Sequence, residues 1–199
     1  MNIAKRFAGY LPVVVDCETG GVDPQKDALL EVAAQIIKPD AKKIAMGEIF
    51  HYHVEAFPGS IITDEALSVN QIRPDHPFRF AVPESDCLID MAMKIREHCK
   101  RYRCRRAVLV GHNAHFDLAF LIAAYKRCDA MKLFPFHRFM VFDTVTLSAM
   151  FVRETVLARA VVRAGLAFDI NEAHSALYDV DRTAALFCHL VNKHSPSGF

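Results

Sequence analysis

Apolar residues run without a break from Pro12 to Val15, a β-branched stretch that predicts a strand buried on both faces, and Asp16 follows at once. After a loop from Thr19 to Lys26, the segments Leu29 to Lys38 and Ile44 to Glu55 read as two more strands, the latter alternating through Phe50, Tyr52 and Val54. Thr63 or Asp64 can cap a short helix ending near Val69, and Arg73 to Pro83, with three prolines, predicts an irregular surface loop. Leu88, Ala92, Ile95, Cys99 and Tyr102 recur at helical spacing. A short strand, Ala107 to Val110, then ends at Gly111. A helix over Ala114 to Arg127, a strand through Phe142, helices over Thr144 to Val152 and Thr155 to Ala164, and a last helix over Ala176 to Asn192 complete the pattern. A strand meander followed by alternating helices and strands predicts an α/β fold, a mixed sheet of about five strands flanked by helices.

Length and composition narrow the class. A chain of 199 residues, 52% hydrophobic and 24% charged, fits one soluble globular domain spanning residues 1–199. The net charge of +1 offers polyanions no overall attraction, so nucleic-acid contact has to come from a local patch. Six scattered cysteines without a C-x-x-C pair fit reduced thiols in a cytoplasmic protein. No run approaches the roughly 18 apolar residues needed to span a bilayer, so no membrane partner is expected.

Four carboxylates occupy positions where apolar residues are expected. Asp16 and Glu18, two apart, project from one face if the chain stays extended. Asp117 heads a helical stripe with Phe120, Leu121 and Ala124, and Asp179 heads another with Thr183, Leu186 and Leu190. Ionised and unpaired, each would cost several kcal/mol. The cations Lys26, Arg127 and Arg182 do not fall on the same inward faces, so a divalent ion is the better compensation. Oxygen ligands with no cysteine among them favour Mg²⁺ or Mn²⁺. His174 is five residues before Asp179, about 140° around a helix, and belongs on the preceding loop, where it can act as a general base.

The segments D-C-E-T-G-G (Asp16 to Gly21), H-N-A-H-F-D (His112 to Asp117) and H-S-A-L-Y-D (His174 to Asp179) together resemble the three motifs of the DEDDh exonucleases. Ser175 stands where the tyrosine branch would need Tyr, which favours the histidine branch. Within it the chain is similar to the ribonuclease T family from Phe7 to about Asn192, including D-A-L-L-E-V-A-A (Asp27 to Ala34), D-E-A-L-S-V-N-Q-I (Asp64 to Ile72) and P-F-H-R-F-M-V-F-D-T (Pro135 to Thr144). The resemblance implies a ribonuclease-H-like fold, a homodimer, two Mg²⁺ ions held by Asp16, Glu18, Asp117 and Asp179, and a proton accepted by His174. It also implies trimming of single-stranded 3′ tails from transfer RNA and other stable RNA precursors, such as those of ribosomal RNA. A single-stranded DNA exonuclease and a catalytically silent RNA-binding module are the alternatives.

The same resemblance implies base stacking on Phe116 and Phe139, while Val22 and Val69 stand where the family stacks two further aromatic rings. Glu65 matches a glutamate tied to discrimination against terminal cytidine. For Phe116 and Phe139 the bland alternative is core packing. Basic residues crowd Lys94 to Arg106, and a patch at Arg6, Lys100, Arg106 and Lys132 is implied to serve the partner subunit's active site. Asp143 reads best as a helix N-cap.

Overall fold

The computed structural model describes residues 2–170, 172 and 175–194. Strands β1 (Tyr10–Thr19), β2 (Leu29–Asp40), β3 (Lys43–His53), β4 (Arg106–Gly111) and β5 (Phe136–Asp143) form one mixed sheet in the order β3-β2-β1-β4-β5. β2 runs antiparallel to both β1 and β3, whereas β1, β4 and β5 are mutually parallel. Helices α1 (Ile3–Arg6), α2 (Asp64–Asn70), α3 (Glu84–Arg101), α4 (Ala114–Arg127), α5 (Thr144–Val152), α6 (Leu157–Arg163) and α7 (Ala176–His194) flank it. This is the α/β arrangement expected from the sequence.

Burial explains the strand patterns. Leu11, Val13, Val14 and Val15 are buried on consecutive positions because β1 is central and helices cover both sheet faces. β3 lies at the edge, so Ile44 and Phe50 are buried while Lys43, Glu48 and Ile49 remain open to solvent. α7 packs across β1, β2 and β3 and carries Val180, Ala184 and Phe187 into the main core. Its Leu186 and Leu190 join Ala160 and Val161 of α6 in a second, smaller cluster.

Two boundaries differ from expectation in ways that matter for the site. β1 continues past Val15 to Thr19, because its polar end still pairs in register with β2, Asp16 opposite Ala33 and Glu18 opposite Glu31. α6 starts at Leu157 rather than Thr155, with Thr155 and Val156 held outside the helix by donating their amides to the Glu154 carboxylate. The short helix α2 begins as expected, with the Thr63 hydroxyl accepting from the Ala66 amide at 3.2 Å. All six cysteines are free thiols. Among the described residues, no helix is long and apolar enough to cross a membrane.

Candidate functional site

Extension of β1 through Glu18 puts Asp16 and Glu18 on the same face of the sheet, two residues apart. Asp179, in the first turn of α7, comes down onto that face, and one oxygen from each of the three carboxylates lies within 4.8 Å of the others. Asp117, in the first turn of α4, is buried beside them, its Oδ1 accepting from the Cys17 amide at 2.9 Å. The structure therefore gathers all four acidic residues singled out in the sequence around the end of β1. His174 lies outside the described residues.

The loop that follows β1 is shaped by its glycines. A Cβ on Gly20 would lie 2.5 Å from the Ile61 carbonyl oxygen, and one on Gly21 would overlap the Asp27 carboxylate. Asp27 Oδ2 in turn accepts from the Asp23 amide at 2.8 Å, and the Thr19 hydroxyl donates to the Gly21 carbonyl at 2.6 Å. The paired glycines of D-C-E-T-G-G are thus required by close approach, which turns the chain sharply away after Glu18.

Crowding sets the electrostatics. Burial, then the charges of Asp117, Asp179 and Glu18, push the Asp16 carboxyl well above its ordinary range. Burial, then Asp179 and Glu31, raise Glu18 to about 8. Burial likewise raises Asp117 to about 7, against the lowering effect of its bond from the Cys17 amide. The basic residues named in the sequence are engaged elsewhere: Lys26 with Asp23 at 3.2 Å, Arg127 with Glu84 at 2.7 Å, and Arg182 with Asp181. A close set of hard oxygen donors that resist simultaneous ionisation fits a divalent cation such as Mg²⁺ or Mn²⁺.

Next to the carboxylates opens a cavity of about 490 Å³ whose lining includes Glu18, Val22, Glu65, Val69, Asn70 and Phe116. Val22 and Val69 are exposed at its rim, and Phe116 packs against Phe120 with ring centroids 4.9 Å apart. Phe139 does not line this cavity; it projects from β5, 88% exposed, which excludes core packing for its ring. A separate apolar cavity of about 550 Å³ is lined by Phe7, His115, Asp143 and Phe187 among others, and by none of the four carboxylates.

The basic residues divide. Lys100, Arg106 and Lys132 are exposed, and the Arg96 guanidinium donates to the Lys132 carbonyl at 2.7 Å, joining α3 to that loop. Arg6 is half-buried and donates to the Val191 carbonyl at 3.0 Å. Arg106 pairs with Tyr10 at the start of β1, whereas Asp16 lies six residues further along it, about 20 Å away at strand rise.

Sequence reasoning missed two contributors, Glu31 and Asn70, and half the role of a third, Asp143. Glu31 is buried directly opposite Glu18, and its carboxylate meets the His51 imidazole; with His53 these form a second cluster of metal-competent side chains. A lone glutamate inside the apolar run L-L-E-V-A-A was the available signal. Asn70, also buried, donates to the Thr19 carbonyl at 3.1 Å. Asp143 caps α5 through the Val145 amide at 2.8 Å, as expected, and also accepts from the Asn113 and Ala114 amides at 3.2 and 3.1 Å, securing the start of α4. His112 bridges the Thr144 hydroxyl and the Thr155 carbonyl at 2.9 and 2.8 Å.

An acidic cluster on a mixed sheet of this order is the arrangement of a nuclease class, and the family model described as Exonuclease matches residues 13–187, so the chain belongs to that family. It is 45% identical over 194 residues to Ribonuclease T of Shewanella baltica, covering 97% of this chain and 86% of that protein. Ribonuclease T of Pectobacterium atrosepticum is 47% identical over 192 residues, covering 96% and 86%. Among solved structures, Escherichia coli exonuclease I in complex with a dT13 oligonucleotide superposes with a TM-score of 0.71 at 17% identity over 94% of this chain. Exonuclease I of Methylocaldum szegediense gives 0.71 at 18% identity. The chain spans about two fifths of the length of those exonuclease I chains, 42% and 41%.

Proposed function

We propose that the protein is a 3′-to-5′ exoribonuclease that trims single-stranded 3′ ends of transfer RNA and other stable RNA precursors, releasing nucleoside monophosphates. The observation that carries this reading is the meeting of Asp16, Glu18 and Asp179 within 4.8 Å, with Asp117 adjoining, at the wall of a cavity wide enough for a nucleotide. The four carboxylates would hold two Mg²⁺ ions, or Mn²⁺ in their place, which activate water and stabilise charge on the departing oxygen.

The remaining roles belong to the chain's own side chains. His174 accepts the proton of the attacking water, as its place in the H-x-x-x-x-D motif suggests. Phe116 offers a ring face to the terminal base, worth about 1 to 3 kcal/mol, and Phe139 offers a second, exposed one. Val22 and Val69 contribute apolar contact without a π-face, so the terminal base is gripped less tightly than by four aromatic rings, and Glu65 on the same wall faces the base. Lys100, Arg106, Lys132 and Arg6 belong to a basic surface that, in a homodimer, guides RNA to the other subunit's site; the roughly 20 Å along β1 between Arg106 and Asp16 supports that division. Free thiols suit a reducing, cytoplasmic setting.

Digestion of matched 3′-labelled RNA and DNA with single-stranded overhangs ending in A or C, with and without Mg²⁺, tests the reading. Mg²⁺-dependent release from RNA, with a smaller bias against C than four stacked rings would impose, is expected. Preference for DNA would support the alternative of a single-stranded DNA exonuclease, and binding without hydrolysis would support the silent module.

A further inference from the structure

The loop between α2 and α3 displays two aromatic rings in a manner that packing does not explain. Phe78 and Phe80 are 73% and 80% exposed, 6.3 Å apart, and His76 stands 5.9 Å from Phe78. Phe80 adopts a left-handed backbone conformation at φ 49°, uncommon for a bulky side chain. The loop is nonetheless firmly held. The Arg79 guanidinium donates to the carbonyls of Leu30 and Val54, Val82 bridges to Val54, and the amides of His76 and Arg79 close successive turns onto Arg73 and His76. Fixed backbone beneath exposed rings makes a platform.

The loop that carries the platform runs on from the wall of the nuclease cavity. Asn70 lines that cavity, and the next residue, Gln71, lines a second one of about 260 Å³ together with His53, Arg73, His76 and Arg79. Across the sheet, Glu18 pairs with Glu31 and Glu31 with His53, two strand spacings or about 10 Å, a short step for an unpaired nucleotide chain. Bases stack on aromatic faces irrespective of sequence, and guanidinium groups neutralise phosphates.

We propose that Phe78 and Phe80, with Arg73 on the wall of the cavity that His76 shares, form a second nucleotide subsite that holds an unpaired nucleotide on the 5′ side of the end being cleaved. The inference rests on the exonuclease reading above. It makes the enzyme sensitive to the length of the single-stranded tail, independently of the terminal base.

Full-length protein carrying Phe78→Ser, Phe80→Gly and Arg73→Gln should lose about tenfold or more in kcat/KM on a long unstructured RNA while its rate on a dinucleotide is unchanged. Equal effects on both substrates, or none on the long RNA, would overturn the subsite. If the wild type cleaves neither substrate, the exonuclease reading itself fails, and binding then decides the subsite. The chain has no tryptophan, so Phe80→Trp introduces a single indole. Its fluorescence should be quenched by a long RNA and not by a dinucleotide. Quenching that instead follows protein concentration, or no quenching at all, would assign the rings elsewhere and refute the proposal.

Discussion

Glu18 and Asp117 hold their protons up to about pH 8 and 7 in the metal-free fold, but release them near pH 4 when unfolded. The unfolded chain therefore binds fewer protons throughout that interval, and stability without metal should fall as pH rises from about 4 toward 8. A divalent cation reverses the preference by favouring the ionised carboxylates. The gain in melting temperature on adding Mg²⁺ should consequently be larger at pH 8 than at pH 5; an equal gain at both would refute a cluster of crowded acids as the binding site. Asp16→Asn removes one of the repelling charges, so the metal-free variant should melt a few degrees higher at pH 8, while its turnover drops on the order of a thousandfold. Melting scans and single-turnover assays on the same sample check the two effects together.

At the scale of elements, Asp143 does more than its sequence position suggests. One carboxylate serves the N-termini of both α4, which carries Asp117, and α5. Asp143→Ala should cost about 1 to 2 kcal/mol, read as a lower denaturant midpoint, and should slow turnover through displacement of Asp117; an unchanged midpoint would remove the cap from the explanation. The second half of this role was illegible in the sequence, because it joins residues 30 positions apart. What was legible followed the period of the apolar residues: β1 to β5, α3, α4, α5 and α7 all fall close to the expected ranges. The polar end of β1 could be read only as a condition, that the chain stays extended through Glu18, because Asp16 to Thr19 are held by pairing with β2, not by an apolar pattern. The four-residue α1 is too short for any periodicity. Inward placement of Asp117 was read correctly from its helical stripe, whereas Glu31 was passed over because strand alternation says nothing about which neighbour it will meet.

For the whole molecule, the register of β4 against β1 keeps Arg106 about 20 Å along the strand from Asp16. In the proposed homodimer, charge reversal at Lys100 and Arg106 should raise KM for transfer RNA and flatten the salt dependence of binding, leaving kcat on a dinucleotide intact. A monomer in sedimentation that retains full activity on transfer RNA would refute the subunit-crossing role.

The most direct measurement of the central claim follows a 5′-labelled single-stranded RNA with the wild type and Asp16→Asn, in Mg²⁺ and in EDTA. The expected result is stepwise shortening from the 3′ end with release of nucleoside monophosphates, by the wild type in Mg²⁺ alone. Shortening that survives EDTA or Asp16→Asn, or cuts within the chain, would contradict the assignment.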